Sequence, residues 1–232
     1  MIILGIDTAT SQAGCALGSY EGVLALSQCA KGRRHAENLT PAIRFICEQA
    51  QIELGEIGAI AVDLGPGLFT GLRVGIATGK AMAHALRVPV IGVASLDLVA
   101  FAVRYSSRLI VSAIDARRSE LYYAFYRQVP GGVQRLGDYQ LGSPADLAAD
   151  LAERRDEMLL VGDGFQRYHD LFAGVDKAEM ADAGFAHPSA ASLVQLAHAK
   201  ALREEFEPPA SLEPIYLRKP DAEINWVTRN DG

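Results

Sequence analysis

Cysteine, tryptophan and basic excess are all scarce in this chain, and each scarcity closes off a class of protein. The 232 residues hold three cysteines, Cys15, Cys29 and Cys47. That odd number, at spacings that suit neither a disulfide framework nor a zinc ribbon, points to a reduced, cytoplasmic chain. The five histidines, His35, His84, His169, His187 and His198, include no pair three or four residues apart, and no HExxH occurs, so a metallopeptidase is excluded on spacing and no metal site is expected. There is no G-x-S-x-G elbow, and no cysteine has a histidine nearby in sequence, which leaves a peptidase without a nucleophile–base set. Long apolar runs are missing too. The opening Met-Ile-Ile-Leu-Gly-Ile-Asp meets a charge at Asp7 and has no basic leader, so it reads as a strand and neither a signal peptide nor a membrane anchor. Positive charge is outnumbered: 22 Lys and Arg against 28 Asp and Glu give a net charge of -6. A chain gripping nucleic acid by itself would normally carry a basic surplus to neutralise phosphates.

What is present is an ordinary core-forming composition, 50% hydrophobic and 22% charged. At roughly 150 residues per domain the length suits one large domain or two compact lobes. Apolar runs at residues 2–7, 13–17 and 23–30, separated by short polar turns, predict an antiparallel meander. From Asn38 the period changes: Leu39, Ala42, Ile43, Ile46, Cys47 and Ala50 share one stripe of a helix, with Pro41 in its tolerant first turn. A buried strand at 59–64, a second helix reaching about Leu86 and a strand at 90–93 imply a right-handed parallel crossover. The first half thus reads βββαβα and then a further strand. The second half begins afresh, with a helix from Ser95 to about Tyr105, a strand at 109–114 and a hairpin partner at 120–126. Helices are expected at 144–153, 165–172 and 189–202, a short strand at 158–161 and an extended proline-rich tail. The chain divides into lobes of residues 1–100 and 101–232.

Between the 59–64 strand and its following helix lies Gly65-Pro66-Gly67-Leu68-Phe69-Thr70-Gly71-Leu72-Arg73-Val74-Gly75. Such glycines can aim backbone amides at an anion beside a helix N-terminus, or can simply make a tight strand-to-helix turn. The spacing matches neither the dinucleotide fingerprint nor the phosphate loop. Within the helix Gly71, Gly75, Gly79 and Ala83 recur every fourth residue and share a face. Each interior glycine costs roughly 0.8–1 kcal/mol relative to alanine, which close approach of another backbone would offset. That backbone belongs either to this chain's own sheet or to a second subunit. Asp7, with Thr8, Thr10 and Ser11 after it, could hold hydrated Mg²⁺ beside a phosphate, or cap its own turn.

Leu4-Gly5-Ile6-Asp7-Thr8-Ala9-Thr10, the Gly65 to Gly75 block, Asp115-Ala116-Arg117-Arg118 before Glu120 and Tyr122, and Pro214-Ile215-Tyr216-Leu217-Arg218 together resemble the TsaB (YeaZ) family, in order and over nearly the whole chain. The resemblance implies a two-lobed, actin-like ASKHA fold of α/β class. It implies a non-catalytic subunit that pairs with a TsaD-type transferase making threonylcarbamoyladenosine beside the tRNA anticodon. A TsaE-type ATPase would join that assembly, and tRNA would be met only through the complex. The pairing surface it implies comprises the first two helices, with His35, Asn38, Leu39, Ala42, Ile43, Ile46, Phe69, Gly71, Leu72, Gly75, Gly79 and Ala83. Alone, the same surface is expected to close as a homodimer. No catalytic residue is expected. Asp7, Thr8, Thr10, Gly65, Gly67 and Thr70 are the candidate nucleotide contacts, with no cofactor for the isolated chain and ATP or ADP with Mg²⁺ reserved for the assembled complex. Ala9 and Leu68 stand where serine is common in the family, which removes a hydroxyl from the hairpin. The competing reading is an ASKHA-type ATP-dependent small-molecule kinase built on Asp7 and the Gly65 turn.

Overall fold

The computed structural model describes residues 1–30 and 35–218. Strand β1 (Ile2–Asp7) is apolar on both faces because it is central, pairing antiparallel with β2 (Ala13–Ser19) and parallel with β4 (Ile57–Asp63). Beyond β2 lies β3 (Gly22–Cys29), an edge strand open to solvent along much of its length. Beyond β4 lies the fully buried β5 (Val90–Val93), and the sheet order is β3-β2-β1-β4-β5. Helices α1 (His35–Ala50) and α2 (Phe69–Leu86) cover one face of this sheet, packing Leu39, Ile43 and Ile46 of α1 and Ile76 of α2 against Leu4, Ile6, Ile60 and Val62.

After α3 (Ser95–Ala102) the same topology recurs. A meander of β6 (Leu109–Arg117), β7 (Glu120–Val129) and β8 (Gly132–Gly142) is followed by α4 (Pro144–Glu153) and β9 (Met158–Val161). Then come the short α5 (Asp163–Arg167) and α6 (His169–Phe172), β10 (Ala178–Met180) and α7 (Ala190–Leu202). The second sheet runs β10-β9-β6-β7-β8, and each pairing has the direction of its counterpart in the first. This is the two-lobed, actin-like arrangement that the resemblance implies. The closing helices are exchanged: α3, which follows the first sheet, packs on β6, β7 and β8, while α7 packs on all five strands of the first sheet and touches α3. Each sheet is therefore buried on both faces.

Three sequence expectations differ from the fold, and two strands were not expected. Helix α1 starts at His35, which puts Pro41 in its second turn, on the exposed side. The 165–172 segment is two short helices that break at Tyr168, whose φ of -111° leaves the helical range. Helix α3 ends at Ala102, three residues early. Strands β8 and β10 have no counterpart in the sequence reading.

Candidate functional site

The carboxyl ends of the central parallel strands carry the first notable chemistry. Ile6 pairs with Val62, so Asp7 of β1 and Asp63 of β4 leave the sheet side by side, each 1% exposed. Asp63 Oδ1 accepts from Ser95 Oγ at 2.6 Å and from the Gly65 amide at 2.8 Å, and Asp7 Oδ1 accepts from the Ala9 amide at 3.1 Å. Burial pushes the Asp7 carboxyl up to about 6 against the bonds that favour its charge. Burial, then the neighbouring Asp7 charge, hold Asp63 well above the usual carboxylate range. Two such groups in contact share one proton. Asp63 was not among the sequence candidates. Its signal was an acid ending an otherwise apolar run.

The Asp7 hairpin and the Gly65 turn do meet, as the candidate nucleotide contacts require, and they are hydrogen-bonded to each other there. Thr8 Oγ1 donates to the Gly71 carbonyl at 2.7 Å, Thr10 Oγ1 to the Gln12 carbonyl at 3.3 Å, and the Leu68 amide to the Ala9 carbonyl at 2.7 Å. A Cβ on Gly67 would stand 2.2 Å from the Ala9 oxygen, so this glycine exists for close backbone contact. Gly65 has φ +93° and a cis bond to Pro66, and its carbonyl accepts from the Ser95 amide at 2.7 Å. Asp7, Thr8, Ala9 and Thr10 are all buried, whereas Thr70 stands exposed in the first turn of α2. The Thr8 and Thr10 hydroxyls and the Leu68 amide are thus bonded inside the chain. Among the described residues no group of three or more His, Cys, Asp or Glu is placed to hold a metal ion.

The glycine face of α2 turns inward, which corrects its assignment to a partner surface. A Cβ on Gly75 would stand 2.4 Å from Thr8 Oγ1 and one on Gly79 2.5 Å from Val62 Cγ2, and Gly71, Leu72 and Ala83 are buried with them. Leu39, Ile43 and Ile46 likewise belong to the core under α1. Asn38 and Phe69 are exposed and Ala42 is half-buried; His35 opens α1, and its side chain lies outside the described residues. What the two helices present outward is a groove of about 930 Å³, its wall including Ile43 and Cys47 of α1, Ala81 and Met82 of α2, and Ile52 and Leu54 just beyond α1. Leu54 on this wall is 47% exposed. The tail secures the start of α2: Tyr216 stacks on Phe69 at 5.5 Å, Arg73 lies over the Phe69 ring at 3.8 Å, and the Ile215 amide donates to the Leu64 carbonyl.

In the second lobe Asp115 of β6 and Asp163, the first residue of α5 after β9, come together at the corresponding end of the sheet, where the Asp115 amide donates to Asp163 Oδ1 at 2.9 Å. Here the chemistry differs, because Asp115 pairs with Arg117 at 3.0 Å and Arg167 at 3.4 Å. Arg117, Arg118 and Ser119 all adopt left-handed φ, between 55° and 62°, without a glycine among them. Burial raises the Asp163 carboxyl.

The model of the TsaD family, tRNA N6-adenosine threonylcarbamoyltransferase, matches residues 28–226. An uncharacterized protein of Mycobacterium leprae, ML0378, is 36% identical over 225 residues, which are 95% of this chain and 56% of that longer protein. The tRNA threonylcarbamoyladenosine biosynthesis protein TsaB of Bacillus subtilis is 28% identical over 98% of both chains. The solved structure of YeaZ from Pseudomonas aeruginosa superposes with a TM-score of 0.78 at 26% identity, covering 93% of this chain and 99% of that one. By sequence along nearly its full length, by its repeated two-lobed fold and by the motifs that build its buried turn, the chain belongs to the TsaB family of tRNA threonylcarbamoyladenosine biosynthesis proteins.

Proposed function

We propose that the chain is a non-catalytic pairing subunit: it docks a TsaD-type transferase on the outward face of α1 and α2 and supports threonylcarbamoylation of the adenosine beside the tRNA anticodon. The observation that carries this reading is the apolar groove between those helices, with Leu54 about half exposed on its wall. Unpartnered apolar ground of this kind on a chain otherwise well packed marks a protein contact. Supporting it, the Thr8 and Thr10 hydroxyls of the Asp7 hairpin are bonded within the chain and withdrawn from a phosphate; this favours pairing over small-molecule phosphorylation. A TsaE-type ATPase joins the pair, and ATP or ADP with Mg²⁺ enters there and not in the isolated chain. Without its partner the same groove closes on a second copy.

Ala81 lies exposed on the groove wall, where a larger charged side chain has room in the monomer. Ala81→Arg is expected to weaken TsaD-type binding at least tenfold by calorimetry and to reduce the self-associated fraction in gel filtration, with an unchanged melting temperature. Wild-type affinity in this variant would move the interface elsewhere. The purified chain by itself is expected to show no transferase activity on tRNA, and activity in a preparation free of the TsaD-type subunit would overturn the non-catalytic assignment.

A further inference from the structure

The net charge of -6 conceals a local reversal. The tip of the β7–β8 hairpin, residues 129–132, leans over the crossing of α3 and α7 and leaves a hollow on each side, one of about 370 Å³ and one of about 580 Å³. Four cations line them, Arg104 in the first and Arg135, Lys200 and Arg203 in the second, against one acid, Asp97. That acid is occupied, since it accepts from Tyr126 at 2.8 Å and Tyr139 at 3.0 Å. At the rim Glu205 pairs with Arg203, and Glu21 accepts from the Tyr20 hydroxyl at 3.1 Å. The lining keeps a positive balance in an acidic chain.

Flat π surfaces are interleaved with these charges. Tyr20 and Tyr105 are 78% and 79% exposed, which is far more than an aromatic ring needs for a structural role. The Arg104 guanidinium lies 4.1 Å from the Phe101 ring centroid and 4.6 Å from that of Tyr105, and Arg135 lies 3.8 Å over Tyr139. Arg104 donates to the Phe101 carbonyl, the Tyr105 hydroxyl and Gln195 Oε1, Arg135 Nε to the Gly137 carbonyl and Lys200 Nζ to the Gly92 carbonyl, bonds to neutral acceptors that fix the cations in place and leave their charge uncancelled for phosphate, while open tyrosine faces accept unstacked bases. A double helix offers no base faces to such rings. An apolar protein surface would gain nothing from the four cations.

We propose that this two-part hollow holds an unpaired stretch of the tRNA, with bases on Tyr20 and Tyr105 and phosphates on Arg104, Arg135 and Lys200. The inference rests on the chain working inside the assembly proposed above, and it departs from the expectation that tRNA is met only through other subunits. The test uses the complex of full chain and TsaD-type subunit with an unmodified tRNA transcript in filter binding. Tyr20→Ala combined with Tyr105→Ala is expected to weaken tRNA binding about tenfold or more, since each base–aromatic stack is worth that much. Affinity for the TsaD-type subunit and the melting temperature should not change, because both rings are exposed. Arg104→Ala should lower the salt slope by about one. An affinity within twofold of wild type overturns the proposal, as does a parallel loss of subunit binding, which would make the hollow a protein contact. Should the wild-type complex fail to form, the pairing reading falls, and photo-cross-linking of the chain alone to the transcript decides this one: adducts at Tyr20 or Tyr105 support it, and adducts confined to other segments overturn it.

Discussion

Gly75→Leu is expected to destabilise the folded monomer strongly and not merely its assembly. A Cβ at this position would stand 2.4 Å from Thr8 Oγ1 and 3.6 Å from Ile6 Cγ2, so the rest of a leucine side chain would have to enter β1. Thr8 cannot swing aside cheaply. Its hydroxyl is buried and donates to the Gly71 carbonyl at 2.7 Å, and displacing it strands that hydroxyl. Overpacking costs about 1–3 kcal/mol and an orphaned buried polar group about another 1–3, against a helix-propensity gain of under about 1. A net loss of about 3 kcal/mol is a fifth to more than half of the roughly 5–15 kcal/mol that a domain of ordinary stability possesses. Urea unfolding followed by circular dichroism reads this directly, with either a midpoint shifted far down or no folded baseline. A Gly75→Leu chain that unfolds like wild type yet no longer binds its TsaD-type partner would return the glycine face to the interface.

The same residue shows where sequence reading stops. Periodicity placed Gly71, Gly75, Gly79 and Ala83 on one face of α2, and the cost of helical glycine demanded close contact there. Neither says whether the contact lies inside or outside the chain, because that depends on which way the helix is turned on its sheet. The meander, the crossover and α7 were legible because central strands such as β1 and β4 are continuous apolar runs and α7 carries a broad apolar stripe. Strand β8 was not, since Gly132–Gly142 is an edge strand with three glycines and an exposed middle, and so lacks the buried alternation that marks a strand. Strand β10 is three residues long, below what any period can register. At the buried turn, Asp7 and Gly67 were visible as residues out of keeping with their surroundings. Asp63 became meaningful only when the β1–β4 register set it beside Asp7.

That pairing has a measurable consequence. Asp63→Asn is expected to stabilise the protein at pH 8 and to flatten its stability profile above pH 4. Asp7 titrates near 3.8 in the ordinary case and about 6 in the fold, so between those values the unfolded chain releases a proton that the folded chain retains. Stability from this group is complete below pH 3.8 and is lost as the pH rises through 6, and Asp63, whose carboxyl burial and the Asp7 charge also raise, adds a loss of the same sign. For Asp7 the shift corresponds to about 3 kcal/mol. An asparagine at 63 keeps an oxygen for Ser95 Oγ and the Gly65 amide, turns its NH₂ toward Asp7, and removes one of two charges that the site cannot hold together. Asp7 then ionises beside two donors, the new amide and the Ala9 N–H. A gain of about 2 kcal/mol at pH 8, or roughly 4–8 °C in melting temperature for a chain of this size, should appear in thermal melts, with little change at pH 4. Equal destabilisation at both pH values would mean that the two carboxyls do not share a proton and that the Asp63 side chain is required for its hydrogen bonds alone.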